Sequence, residues 1–211
     1  MSNFNLVEKI RLTTPVCKFQ YPRLAEPETK FNPEGVYKIA GLIDAKDCDE
    51  ISTALDELLV RHKESLKAQA PTQKFKLADL PWSFQDIDGA AIFVVKAKMK
   101  ASGIDRDGRR WTAAPALFDA KGQPVKDREA LAKMWSGTVG RISFEAQPFY
   151  RAAIGAGITL RLRAVQVISL IEGGGDAKSF GFDDEEIGWS PNAEAAVPFD
   201  STGTGSDDGD F

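Results

Sequence analysis

The sequence predicts a mainly β protein: a small closed or partly open barrel or, nearly as well, an antiparallel sheet with one covering helix. Three observations lead there. Five segments alternate apolar and polar residues at the period of a strand. One long segment switches to the period of a helix. The last forty residues, 172–211, differ in composition from everything before them, so the chain divides into a folded body, 1–171, and a flexible, disordered tail.

The first strand spans Leu6 to Tyr21 and bends near Pro15, with Lys9, Arg11 and Thr13 on one face and Ile10 and Leu12 on the other. Pro22 to Pro33, rich in proline and charge, reads as a loop. A second strand, Val36 to Ile43, points Tyr37, Ile39 and Ile43 one way, and Gly41 marks a bend. Between about 47 and 69, Ile51, Leu55, Leu58, Leu59, His62 and Leu66 recur at helical spacing, with Asp47 and Glu50 as a capping-box start. Pro71 to Gly89 is a long connection holding Trp82 and Phe84. Ala90 to Ser102 is the clearest strand: Phe93, Val95, Ala97 and Met99 face the core, and Lys96, Lys98 and Lys100 face away. Gly103 to Gln123 is a loop or irregular hairpin with a short strand at Pro115 to Asp119, and Lys126 to Trp135 has a short helical pattern. Two further strands follow. Gly137 to Tyr150 turns Ile142 and Phe144 inward and Arg141 and Ser143 outward; Ile158 to Ile171 turns Leu160, Leu162, Ala164 and Ile168 inward and Arg161 and Arg163 outward.

Charge separates body from tail. The tail carries eleven carboxylates and one base, Lys178, so the formal charge of −4 splits into +6 on residues 1–171 and −10 on 172–211. A basic body tethered to an acidic arm fits a surface for polyanions and an arm that competes for it. The terminal Phe211, beside Asp207, Asp208 and Asp210, fits a partner pocket that takes a ring and a carboxylate. Part of Ser179–Trp189 is expected to lie back on the body, because Phe180, Phe182 and Trp189 are more rings than a solvating tail needs. No apolar run reaches membrane length and the start lacks the regions of a secretion signal, so a cytoplasmic protein is expected. Cys17 and Cys48 are isolated and read as reduced, packed thiols.

No catalytic set stands out. A single histidine, His62, argues against triads and His-based metal sites, and reads as a surface or stripe-edge residue. Asp86 with Asp88, and Asp105 with Asp107, are spaced as a metal-dependent nuclease would need, but glycine follows each pair and a turn explains both better. No cofactor, metal or catalytic residue is assigned.

The basic faces say more. Lys9, Arg11, Lys96, Lys98, Lys100, Arg141, Arg161 and Arg163 occupy the outward sides of four strands, where acids are nearly missing; Glu145 is the exception. Trp111 after Arg109-Arg110, and Tyr150 before Arg151, add rings beside bases, the combination that holds unpaired nucleotides. Trp82 and Trp135 read as packing residues.

Four stretches resemble the bacteriophage-encoded single-stranded DNA-binding proteins of replication and recombination. They are Leu12-Thr13-Thr14-Pro15 leading to Val36-Tyr37; Arg109-Arg110-Trp111 with Pro115-Ala116-Leu117-Phe118-Asp119 and Gly122-Gln123-Pro124; Tyr150 with the run from Gly155 through Arg161-Leu162-Arg163 to Val167; and the acidic tail ending in Phe211. The resemblance implies an OB-fold, a five-stranded antiparallel barrel with one long inserted helix. It implies sequence-independent binding of single-stranded DNA in phage DNA replication, recombination and repair, in the cytoplasm of the infected bacterial host. It also implies a tail that recruits the phage DNA polymerase or helicase–primase and competes with DNA. A homodimer is left open, and no membrane is involved. A strand-cleaving nuclease and a protein-binding adaptor are the alternatives from other functional classes.

Overall fold

The computed structural model describes residues 4–173. The tail, including Ser179–Trp189 and Asp207 to Phe211, lies outside the described residues apart from Glu172 and Gly173.

Among the described residues, ten strands and one long helix follow one another as β1 (Ile10–Thr13), β2 (Cys17–Glu28), β3 (Val36–Asp44), α1 (Asp49–Gln69), β4 (Trp82–Ile87), β5 (Ala90–Lys100), β6 (Ser102–Ile104), β7 (Arg110–Thr112), β8 (Ala116–Phe118), β9 (Val139–Arg151) and β10 (Gly155–Ser169). Five of them, β9, β2, β3, β5 and β10, pair in that order and return to β9, closing a ring. Four seams are antiparallel and the β5–β10 seam is parallel. Closure removes the unpaired edges an open sheet would present. β1, β4 and β8 add short flanks, and β6 with β7 forms a separate hairpin.

The predicted first strand is two strands: the chain turns at Pro15, and β1 and β2 pair with successive parts of β9. Thr14 holds that corner, accepting the Ile142 N–H on Oγ1 at 3.0 Å. The segment expected as a loop after Pro22 is instead the second half of β2. Its ladder with β3 slips between Gln20 and Arg23, where Tyr21 takes a positive φ of 47°. Proline supplies no ladder donor, and a bulge is where a strand tolerates one.

The connection after Pro71 hides β4, which only the hairpin turn betrays. Asp88 and Gly89, at φ 54° and 78°, are the left-handed pair of a two-residue loop closing Ile87 on Ala90. The helical pattern at Lys126 to Trp135 yields only a 3₁₀ turn, Glu129–Leu131. In β10 a bulge between Leu162 and Ala164 reverses the alternation, so Val165 and Val167 are buried while Ala164 and Ile168 are not.

Inside the ring, Phe19, Ile39, Phe93, Val95, Ile142, Phe144, Leu160 and Leu162 are almost fully buried. Helix α1 adds Ile51, Leu55, Leu58 and Leu66. Its cap is Cys48, without a side-chain bond, and Asp47 belongs to the preceding 3₁₀ turn, so the expected capping box does not form. Asp49 and Glu50 still place negative charge at the positive end of the helix. His62 is not at the surface: it is fully buried and donates Nε2–H to the Phe149 carbonyl at 2.9 Å, tying α1 to β9. Cys17 and Cys48 are free and buried, and burial pushes the Cys17 thiol up to about 11. Trp82 packs as expected, donating to Asp56 at 3.3 Å, but Trp135 is 62% exposed, against Gly173.

Candidate nucleic-acid interface

Residues directly opposite in a ladder share a face of the sheet. One such transverse row runs Arg23 on β2, Lys38 on β3, Lys98 on β5, Arg161 on β10, Glu145 on β9 and Arg11 on β1. Five of its six side chains are basic. Lys96 and Lys100 extend it along β5, each two residues from Lys98 and so about 6.7 Å away.

Two neighbouring clefts of about 560 and 630 Å³ lie across this row and share Lys98, Phe149 and Thr159. The first is bounded by Tyr21, Lys38, Pro81 and Lys96, the second by Lys100, Trp111, Arg151 and Arg161. Together they form one basic channel with Phe149 at its middle, Trp111 at one end and the 72% exposed Tyr21 at the other.

Each ring is held. Trp111 lies against Gly103, where an added Cβ would come within 2.7 Å of the indole. Phe149 covers Gly157 across the β9–β10 ladder in the same manner, also at 2.7 Å. Glycine opposite an aromatic ring is a favourable strand pairing and fixes where the ring sits.

Six of the residues singled out in the sequence therefore meet in the channel: Lys96, Lys98, Lys100, Trp111, Arg151 and Arg161. The others lie elsewhere. Arg109 and Arg110 are on the β6–β7 hairpin, and Arg141 is exposed on β9 opposite Gln166. Tyr150 turns to the other side of β9. Its ring meets Phe4 and Phe75 edge-on at 5.0 and 5.5 Å, and its hydroxyl accepts from Gln73 at 2.9 Å.

Lys9, Arg11 and Arg163 gather on Glu145, at 3.2, 3.1 and 3.8 Å. Glu145 is only 4% exposed, and the Arg11 guanidinium, helped by Lys9, Gln147 and Arg163, outweighs burial and holds its carboxyl down at about 2. Lys38 pairs with Glu28, whose carboxyl it lowers, and Lys100 pairs with Glu34 at 3.0 Å.

Phe149, Tyr21 and Lys38 were not found by sequence reasoning. Phe149 was within reach: Arg141 and Ser143 were read as outward, and the same alternation carries Gln147, Phe149 and Arg151 to that face and Tyr150 to the opposite one.

The aspartate pairs serve turns. Asp86 accepts the Gly89 N–H at 3.0 Å, and Asp105 accepts those of Asp107 and Arg109 at 3.0 and 2.8 Å. Among the described residues no group of three potential metal ligands comes together. No described helix is long and apolar enough to cross a membrane.

The ring, the helix inserted between its strands and the basic channel define an oligonucleotide-binding fold. The chain matches phage-encoded single-stranded DNA-binding proteins in structure over most of its length. One is gp2.5, a single-stranded DNA-binding protein encoded by bacteriophage T7, at 25% identity and a TM-score of 0.62, covering 87% of this chain and 99% of that one. Another is the single-stranded DNA-binding protein from bacteriophage Enc34, solved in complex with single-stranded DNA, at 16% identity and a TM-score of 0.56, covering 83% of this chain and all of that one. A C-terminal truncation of the Enc34 protein gives 18% identity and a TM-score of 0.54, covering 77% and 87%. No protein-family model matches the sequence, and no curated protein matches it.

Proposed function

We propose that this protein binds single-stranded DNA without sequence preference in the channel across β3, β5, β9 and β10, as a non-catalytic component of phage DNA replication, recombination and repair. One observation carries the reading: Lys96, Lys98, Arg151 and Arg161, without ion-pair partners among the described residues, surround the ring of Phe149. Lysines spaced at about 6.7 Å along β5 suit the phosphates of an extended strand. Rings at the centre and ends of the channel offer faces that any base can stack on. Backbone charge and stacking carry no sequence information, so binding tolerates every sequence.

The acidic tail completes the reading. Asp207, Asp208, Asp210 and Phe211 recruit replisome proteins, a DNA polymerase or a helicase–primase, and the tail competes with DNA for the channel. A partner that captures the tail then frees the channel, and DNA in the channel frees the tail by the same factor. Titration of intact protein, and of protein lacking residues 207–211, with oligo-dT at two salt concentrations tests both parts. Affinity falls with salt at a log–log slope of about −0.7 per phosphate contacted, and truncation tightens binding. Salt-independent or absent binding refutes the channel, and an unchanged affinity after truncation refutes the competing tail.

A further inference from the structure

The outward cations divide into two electrostatic kinds. Of those in the channel, Lys96, Lys98, Arg151 and Arg161 have no ion-pair partner among the described residues, and Lys38 and Lys100 pair only with the part-exposed Glu28 and Glu34. Lys9, Arg11 and Arg163 are just as accessible, at 59%, 65% and 41% side-chain exposure, yet all three point at one carboxylate, Glu145. Glu145 stands in the transverse row directly beyond Arg161, and Gln147, which lines the channel, donates to it at 3.1 Å.

The acids that pair with channel lysines behave differently. Glu28 and Glu34 are 27% and 41% exposed, so either can swing into water when a phosphate takes its lysine, and such exposed pairs are weak. The Glu145 side chain, 5% exposed and enclosed by its three bases and Gln147, has nowhere to go. A phosphate that pulled Lys9 or Arg11 away would strip a buried carboxylate of part of its compensation, a step toward the costly outcome for a buried ion pair.

We infer that Glu145 ends the strand-binding track. It commits the bases of the β1–β9 rim to itself, stops the bound strand at Gln147 and limits the length of DNA each molecule covers. This rests on the reading of the channel as the single-strand site. Freed of the carboxylate, the rim bases would carry the cationic row on from Arg161 across β9 to β1.

The test uses full-length protein and poly-dT, with site size from stoichiometric titration at low salt, the salt slope of affinity, and thermal melting to confirm folding. Five proteins are compared: native, K98A, R11A, E145Q and R11A/E145Q. K98A lowers the slope by about 0.7, the loss of one phosphate contact, while R11A leaves it at the native value. E145Q raises the slope by about 0.7 or more and enlarges the site size, and R11A added to E145Q reverses part of that gain. An R11A slope as low as that of K98A overturns the inference, as does an E145Q protein with native slope and site size. Should E145Q not fold, R11A against K98A still decides. If native protein does not bind poly-dT, or K98A binds unchanged, the channel itself fails and the inference with it. An R11A defect alongside a K98A defect removes the inference alone.

Discussion

Phe149 and Tyr150 are adjacent in sequence and opposite in role, so truncating each separates binding from folding. Phe149→Ala removes the ring at the middle of the channel, which lines both clefts. A stacked base is worth roughly 1–3 kcal/mol, a loss of about 5- to 150-fold in affinity. Tyr150→Ala removes two edge-on aromatic contacts, with centroids at 5.0 and 5.5 Å, and the hydrogen bond from Gln73 at 2.9 Å. At about 0.5–1.5 kcal/mol for each aromatic pair and about 1 for the hydrogen bond, it costs roughly 2–4 kcal/mol of stability. Fluorescence anisotropy with labelled oligo-dT measures the first and urea unfolding the second. Phe149→Leu keeps a side chain over Gly157 without a π face, so it isolates stacking from packing. Phe149→Ala and Phe149→Leu both lose affinity; Tyr150→Ala keeps native affinity wherever it is folded. A greater loss of affinity in folded Tyr150→Ala than in Phe149→Ala would refute the assignment of faces.

Other positions respond in their own ways. Gly140→Ala places a Cβ 2.0 Å from the Gln166 carbonyl and 2.6 Å from the Phe19 ring; melting shows a loss of about 3 kcal/mol, at the high end for overpacking, because the nearest atom is backbone. His62→Ala empties a fully buried site and removes the hydrogen bond to the Phe149 carbonyl, so urea unfolding shows a loss of about 2–4 kcal/mol. The Glu145 carboxyl is depressed to about 2 from an ordinary 4.5, so its contribution to stability is present above 4.5 and is lost as pH falls through about 2. Acid unfolding followed by circular dichroism shows that segment in native protein and not in Glu145→Gln.

The strands with clean alternation were legible because their faces see different surroundings: Tyr37 and Ile39 flank Lys38 on β3, Val95, Ala97 and Met99 alternate with Lys96, Lys98 and Lys100 on β5, and all five are buried as expected, whereas Val94, at the start of that run, is buried too. α1 was legible for the same reason at its own period. β4 was not, since only Trp82 in it is buried and a strand with one buried residue leaves no pattern. The far half of β2 was hidden by Pro22 and Pro27, which argue against a strand until the register slips that accommodate them are seen. In β10 alternation itself misled, because the shift between Leu162 and Ala164 reverses the faces after it, up to a second shift between Val167 and Ser169. The channel was half legible. Sequence gives which face of a strand a lysine occupies, but which strands adjoin follows from closure of the ring, and closure brings Lys38, Lys98 and Arg161 into one row. The pairing of β1 and β10 with β9 brings Arg11 and Arg163 beside Glu145, though sequence alone counted them as free bases.

The most direct measurement is the salt dependence of oligo-dT affinity for native protein and for a Lys98→Ala/Arg161→Ala variant. The account predicts a log–log slope that becomes shallower by about 1.4 in the variant, two phosphate contacts at about 0.7 each, while the melting temperature holds. An unchanged slope in a folded variant would contradict it, because the strand would then lie somewhere other than across β5 and β10.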